Sequence, residues 1–210
     1  KDKTGNWSAN QSQTVSSATR PIVINEIAWL GTSAAKDQDE WIEIYNPTNE
    51  NISLSGWVLR SAGDNTPYIN LSGAIAAKGF FLLERTDNNT ISDITADQIY
   101  TGSLVNSGEV LELSHSSTTI DKTPEINSCG GWCGGSSGSQ YLTMERYDPF
   151  SSGESSSNWG TFPGFLGTGK NADNISISGT PGKRNALNYY IVKNGYYLDQ
   201  NKTISETQSP

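Results

Sequence analysis

The sequence predicts an all-β protein built as a sandwich of short strands. Three observations carry that expectation. Between Ile22 and Arg85 four short apolar runs, IVINEIAWLG, DEWIEIYNP, SLSGWVLR and GFFLLER, alternate with loops rich in Gly, Asn, Asp and Ser. Turn signals recur every ~8–12 residues, as in layered β-proteins. No segment of useful length has the helical period.

The elements follow in order. Residues 1–20 are polar and carry only Trp7 and Val15 as large apolar groups. Such a segment is expected to be held by a sheet edge, a neighbouring subunit or a sugar rather than by a core of its own. Pro21 opens the ordered domain. Ile22–Trp29 is predicted as a strand with β-branched residues on both faces, the mark of a strand buried on both sides. Gly31–Gln38 is a loop. Glu40–Tyr45 alternates, with Ile42 and Ile44 on one side and Trp41, Glu43 and Tyr45 on the other. It ends at Asn46-Pro47, since proline cannot donate to a ladder.

Short strands are expected at Ile52–Leu54, Trp57–Ser61 and Tyr68–Leu71, and a strong one at Phe80–Arg85 after Gly79. Asp87–Asp97 is a polar loop. Glu109–Ser114 and Ser117–Asp121 form a hairpin turning at His115-Ser116. Tyr141–Tyr147 alternates with Leu142 and Met144 inward. Residues 162–180 are turn-rich. A second hairpin is expected around Asn194-Gly195, the preferred type I′ pair, within residues 188–199. Residues 200–210 form a polar tail. The chain therefore divides into an extension at 1–20, a β-sandwich at 21–186, and a hairpin with a polar tail at 187–210.

Composition narrows the function classes. Charged residues are 17% of the 210, below the usual ~25%, and Ser, Thr, Asn and Gly replace them. Net charge is −8, and no Lys/Arg cluster occurs. Phosphate backbones require basic surface, so nucleic acid is not an expected partner. An anionic membrane surface is unsuited for the same reason. No apolar run reaches the ~18 residues of a membrane span. No signal peptide is visible, so export would mean that a signal or anchor was removed ahead of this numbering.

Cys129 and Cys133 lie in SCGGWCGG. A structural zinc site needs four ligands, and the only histidine is His115. A small disulfide-closed loop is therefore favoured over a metal or two free thiols, and the surrounding glycines permit the tight turn. A disulfide implies an oxidising compartment, extracellular or at the cell surface.

Read in order, the motifs INEIAW (24–29), DEWIEIYNPT (39–48), LSGWVLR (54–60), GFFLLERTD (79–87), NSGEVLEL (106–113), LTMERYDP (142–149), SSNWGT (156–161) and GTPGKRN (179–185) resemble the lamin tail domain, in particular its bacterial, exported branch. The resemblance spans about residues 21–186. It implies an immunoglobulin-like sandwich. It also implies a docking surface or a module of secreted and surface proteins, at times joined to enzymes. This chain has no coiled-coil heptads, and its acidity argues against carrying over DNA or chromatin binding.

Candidate chemistry is sparse. Glu26, Glu40 and Glu43 come from two predicted strands; Glu40 and Glu43 differ by an odd number, so a regular strand sends them to opposite faces and they are no obvious acid–base pair, and exposed or structural carboxylates are expected. A Ser-His-Asp system would need His115 as its base, at a solvated hairpin tip and without a nucleophile elbow. No phosphate-gripping loop is present. No cofactor is expected beyond calcium, for which Asp37, Asp39 and Glu40 lie together ahead of a strand, with Asp64 and Asp87 as further oxygen donors if folding brings them near. Three acids in a loop are otherwise simply solvated.

Six Trp and nine Tyr are present. Trp29, Trp41 and Trp57 are expected in the core. Trp132 sits in the cysteine loop. Trp7, Tyr189, Tyr190, Tyr196 and Tyr197, outside the resemblance, are the candidates for burying surface against a partner. Sequons occur at Asn6, Asn10, Asn51, Asn70, Asn88, Asn174 and Asn201.

The sequence thus points to a non-catalytic extracellular or cell-surface module. It would serve as a structural subunit of a surface assembly or filament, or as an adhesion domain. Its expected partners are other protein subunits, including its own copies through sheet edges or terminal segments, and glycans. The alternative is a binding or targeting module, carbohydrate-directed in one form, of a larger secreted enzyme.

Overall fold

A computed structural model describes residues 20–138 and 140–189 and the strand residues 192–193, 196–198 and 204–205. The described residues contain no α-helix and form a sandwich of two main sheets. The larger has six strands in the order β12 (Trp159–Thr161), β11 (Met144–Arg146), β1 (Val23–Ala28), β2 (Trp41–Tyr45), β7 (Phe80–Arg85) and β8 (Gln98–Tyr100). The smaller runs β10 (Thr118–Lys122), β9 (Leu111–His115), β4 (Trp57–Ser61), β5 (Tyr68–Asn70). A two-stranded ribbon pairs β3 (Ile52–Ser53) with β6 (Ala74–Ile75).

All pairings in the two main sheets are antiparallel except β7 with β8. Strands β6, β8 and β12 are additional to those expected. They have two or three residues each, too few to show a period.

The sheets meet through alternate side chains, as the strand period requires. Ile24, Ile27, Ile42, Ile44, Phe81, Leu83 and Met144 of the large sheet face Trp57, Leu59, Ile69, Leu111 and Leu113 of the small one. Full burial of each such side chain is worth about 1.5–3 kcal/mol. A bulge between Ile24 and Glu26 keeps isoleucines inward on both sides of it. Leu142, expected inward, is only half-buried because it belongs to an isolated bridge with Ser136 before β11 begins.

The seams between the sheets are stitched by side chains. On one side Asp121 Oδ2 accepts the Ile24 amide at 3.0 Å, and Arg146, fully buried, donates Nη1 to Asp121 Oδ2 and Nη2 to Asp121 Oδ1 at 2.6 and 3.1 Å. Arg146 also donates to the carbonyls of Ile24, Asp148 and Ser151, so its charge and donors are matched. On the other side Gln98 accepts from the Ser72 amide and donates to the Asn70 carbonyl, occupying the β5 edge.

The β9–β10 hairpin turns at Ser116-Ser117, one residue later than expected. Both have left-handed φ, 49° and 67°, the type I′ geometry that suits strand twist. His115 is therefore the last strand residue and pairs with Thr118. The expected second hairpin is present: β13 (Val192–Lys193) pairs with β14 (Tyr196–Leu198), and β15 (Ile204–Ser205) adds to it.

The main departure from two layers is on the outside of the large sheet. Trp41 is buried, but it faces away from the central core and packs with Ala28, Leu82, Ile91 and Ile177 in a second cluster. Residues 177–188, which span the end of the turn-rich stretch, the GTPGKRN motif at 179–185 and the first residues of the expected C-terminal segment, lie across this face as a strap. Trp29 lies just past β1 at the rim, half-buried. Of the three tryptophans expected in the central core, Trp57 alone lies within it.

Candidate functional site

The covered face of the large sheet carries an unusual set of groups. Glu26, Glu43 and Glu145 come from three adjacent strands, Glu26 standing opposite Glu43 on one side and Glu145 on the other. All three are fully buried. Each is occupied by the strap. Glu26 Oε1 accepts the Thr180 amide at 2.9 Å and the Thr143 hydroxyl at 2.6 Å. Glu43 Oε2 accepts the Gly182 amide at 2.6 Å. Glu145 accepts the Ala186 and Leu187 amides at 3.2 and 3.0 Å.

Asn185 completes the attachment. Its Oδ1 accepts from Asn25, and its Nδ2 donates to the carbonyls of Asn25 and Arg146. Gly179 lies where a Cβ would meet Glu26 Oε1 at 2.7 Å, which is why the strap is glycine there. A coil without a ladder leaves backbone N–H groups that must find acceptors once buried, and the three carboxylates supply them.

Burial dominates the electrostatics. It raises Glu26 well above the ordinary carboxyl range, assisted by the charges of Glu145 and Glu43, and pushes Glu43 up to about 8 and Glu145 upward. Hydrogen bonding gives the same answer. The single Thr180 hydroxyl lies 2.7 Å from Glu26 Oε2 and 2.9 Å from Glu145 Oε1. One hydroxyl has one proton to donate, so the second contact is made by a protonated carboxyl donating to the hydroxyl oxygen. Paired acids with raised pKa values often mark catalysis, but here they are shut from solvent and saturated by the chain. They are structural.

Of the acids proposed for calcium, Asp39 lies within reach of the charges of Asp87, Asp173 and Asp37, whereas Glu40 turns inward. Glu40, buried, accepts Arg85 Nη1 at 3.2 Å and the Leu104 amide at 2.8 Å, and burial pushes it up to about 7. Asp37 lies exposed in its loop and accepts from Gln38, and Asp39 is raised by burial. Asp64 accepts the Thr66 amide and Asp87 the Asn89 amide, each capping its own turn. Among the described residues no group of three or more His, Cys, Asp and Glu is arranged to hold a metal ion.

His115 is exposed and stacks on Trp57 with ring centres 5.0 Å apart. The predicted Cys129–Cys133 disulfide is formed. Its loop lies on the sandwich: Trp132 stacks on Trp29 at 6.0 Å, Trp132 Nε1 donates to Val105 O, and Trp29 Nε1 donates to Gly134 O. Among the aromatic partner candidates, Trp7 and Tyr190 lie outside the described residues. Tyr189 ends a 3-10 turn and Tyr196 and Tyr197 lie in β14, with side chains outside the described structure. Sequons Asn51, Asn70, Asn88 and Asn174 are exposed.

Among the described residues no segment lies across the outer face of the small sheet, whose central side chains are half-buried among one another. The outward residues of that sheet form two cross-strand rows, Lys122–Glu112–Arg60–Tyr68 and Thr119–Ser114–Val58–Asn70. Arg60 donates to Glu112 Oε2 at 3.0 Å and to Asn65 Oδ1 at 2.8 Å, and Thr119 donates to Glu112 Oε1 at 2.8 Å. Lys122 donates to Glu125 at 2.8 Å. Two shallow depressions of about 330 and 290 Å³ lie on this side and share Glu112. Sequence alternation supplies the signal for these rows, Val58 and Arg60 against Leu59, and Glu112 and Ser114 against Leu113. It does not reveal that this face is the uncovered one.

The family model for the Lamin Tail Domain matches residues 15–128, more than half of the chain. No curated protein matches it. The matched region contains the small sheet and β1, β2, β7 and β8 of the large one. Strands β11 and β12 and the strap, which complete the covered face, follow it in sequence.

Proposed function

The chain belongs to the lamin tail domain family, a family of non-catalytic immunoglobulin-like interaction modules, and from that premise we propose that it is an extracellular or cell-surface docking module. It serves as an adhesion domain of a surface assembly, working through the outer face of the small sheet. The observation that carries this reading is the asymmetry of the sandwich. One outer face is covered by the chain's own strap on three buried carboxylates, and the other is crossed by no segment among the described residues, with its side chains held in place by hydrogen bonds. A preordered, uncovered face costs less to bind than one that must be organised first.

The disulfide and the Ser/Thr/Asn-rich, acidic composition support an oxidising location. The saturation of the buried acids and the stacking of His115 on Trp57 support a role without catalysis.

The test uses retention of the purified chain on intact envelope material from cells that produce it. Val58→Arg, in the middle of the open face, abolishes retention. Ile175→Arg, an exposed position away from that face, leaves it intact. Equal retention of the two variants, or no retention of the native chain, contradicts the proposal.

A second reading, a targeting module of a larger secreted enzyme, is favoured by the balanced charges of the Lys122–Tyr68 row, which suit a neutral ligand. It predicts an adjoining catalytic domain in the full gene.

A further inference from the structure

We propose that the open face of the small sheet binds a neutral oligosaccharide, seated against Tyr68 and hydrogen-bonded by the Arg60–Glu112 pair. This rests on the docking face proposed above and names its ligand class.

Charge comes first. Continued to Glu125, the outer row reads Glu125–Lys122–Glu112–Arg60, two acids and two bases in alternation, each joined to a neighbour by a hydrogen bond or cross-strand pairing. In a chain of net charge −8 this strip is locally neutral. Its cations are already matched, so neither phosphate nor an acidic peptide finds an unpaired base, and a basic partner finds no unpaired acid. Complementarity therefore selects an uncharged ligand.

Shape and polarity narrow it further. Along the two rows the apolar side chains are Val58 and the 51% exposed Tyr68, and Val110 and the 41% exposed Ile126 line only the far end of one depression. Protein partners need a contiguous desolvated apolar centre, and the middle of the rows, at Arg60 and Glu112, is charged. An added peptide strand pairs along an edge rather than on the rows of the face, and at β5 Gln98 already takes the Asn70 carbonyl.

A sugar needs what is present. An exposed aromatic ring can take its C–H face, and fixed donors and acceptors at the rim can meet its hydroxyls. Arg60 is held by Glu112 and Asn65, and Glu112 by Thr119, so these groups present lone pairs and N–H bonds at set positions. The two depressions sharing Glu112 leave room for more than one ring along the row.

The experiment is an array of neutral hexasaccharides (β-1,4- and β-1,3-glucans, chitin, mannan), with any bound member remeasured by calorimetry on the whole chain. At least one binds. Tyr68→Ala and Arg60→Met each weaken it about tenfold or more, Tyr68→Phe keeps it, and all three variants melt as cooperatively as the native chain. Affinity is unchanged between about 0.05 and 0.5 M salt, because no counterion is displaced. Binding of no neutral glycan, insensitivity to Tyr68→Ala, or loss of binding in salt overturns the assignment. If no glycan binds while envelope retention still depends on Val58, the ligand class falls and the docking face stands. If neither is seen, both fall.

Discussion

Glu26 and Glu145 face each other on neighbouring antiparallel strands and share the Thr180 hydroxyl, at 2.7 and 2.9 Å. Two carboxyl groups and one hydroxyl satisfy one another only if a carboxyl keeps its proton. Glutamine can take the place of that protonated acid. Glu26→Gln keeps an acceptor for the Thr180 amide and gains a donor for the Thr180 hydroxyl, so its unfolding free energy is expected within about 1 kcal/mol of native or above it. Glu26→Ala orphans buried donors and costs about 3 kcal/mol. Urea unfolding separates the two. Equal losses would mean that Glu26 is held as a charged carboxylate.

Stability depends on pH through the same burial. Glu43 is pushed up to about 8, and Glu40 and Glu84 to about 7, each chiefly by desolvation. Their unfolded value is 4.5. A carboxyl whose folded pKa is raised holds a proton that the unfolded chain has lost. The stability these three contribute is therefore full below pH 4.5, falls as pH rises to about 8, and is lost above it, while Glu26, raised well above its ordinary value, acts in the same direction. Each retained proton contributes a slope of about 1.4 kcal/mol per pH unit. Urea midpoints across that window decline, and Glu43→Gln flattens the decline. Stability that rises with pH over the same interval contradicts the burial of protonated acids.

The Arg146–Asp121 pair ties β11 to β10, with side chains 0% and 1% exposed. Asp121→Ala strands the Arg146 charge in the seam and costs about 3–5 kcal/mol; Arg146→Ala leaves Asp121 only the longer 3.6 Å contact with Arg20 and costs about 3 kcal/mol. The double variant costs less than the sum by about 1 kcal/mol or more. Additive losses in denaturant unfolding would show that the two do not act as a pair.

Cys129 and Cys133 close a loop of only five residues by sequence separation of four. Loop-closure entropy for so short a ring gives about 2 kcal/mol. Cys129→Ser with Cys133→Ser lowers stability by that amount and loosens Trp132 from Trp29, seen as a red shift in tryptophan emission. A native melting curve and an unshifted spectrum would show that the loop is held without the bond.

The sandwich was legible in the sequence because the strands that face its core alternate. Ile42 and Ile44 against Glu43, and Leu59 against Val58 and Arg60, fix which side is inside. The strap was not legible. Residues 177–188 have no period, and their main chain bonds to side chains rather than to a ladder. One signal did lie in the sequence. Glu43 shares its side of β2 with Trp41 and Tyr45, and Leu82 lies opposite it on β7, too apolar a set for a solvated face. Read together, they announce a cover whose polar demands Glu43 meets. At Asp37, Asp39 and Glu40, grouped in the sequence as oxygen donors for calcium, spacing hides a difference of direction. Glu40 adjoins a strand and turns inward to Arg85 and Leu104, which spacing along the chain does not show.

Amide hydrogen exchange on the purified chain tests the central asymmetry most directly. The amides of Thr180, Gly182, Ala186 and Leu187, each donating to a buried carboxyl group, exchange as slowly as those of β1 and β2, although no strand contains them. Exchange of these four at the rate of an open loop would mean that the strap does not cover the large sheet and that the two faces of the sandwich are not distinguished.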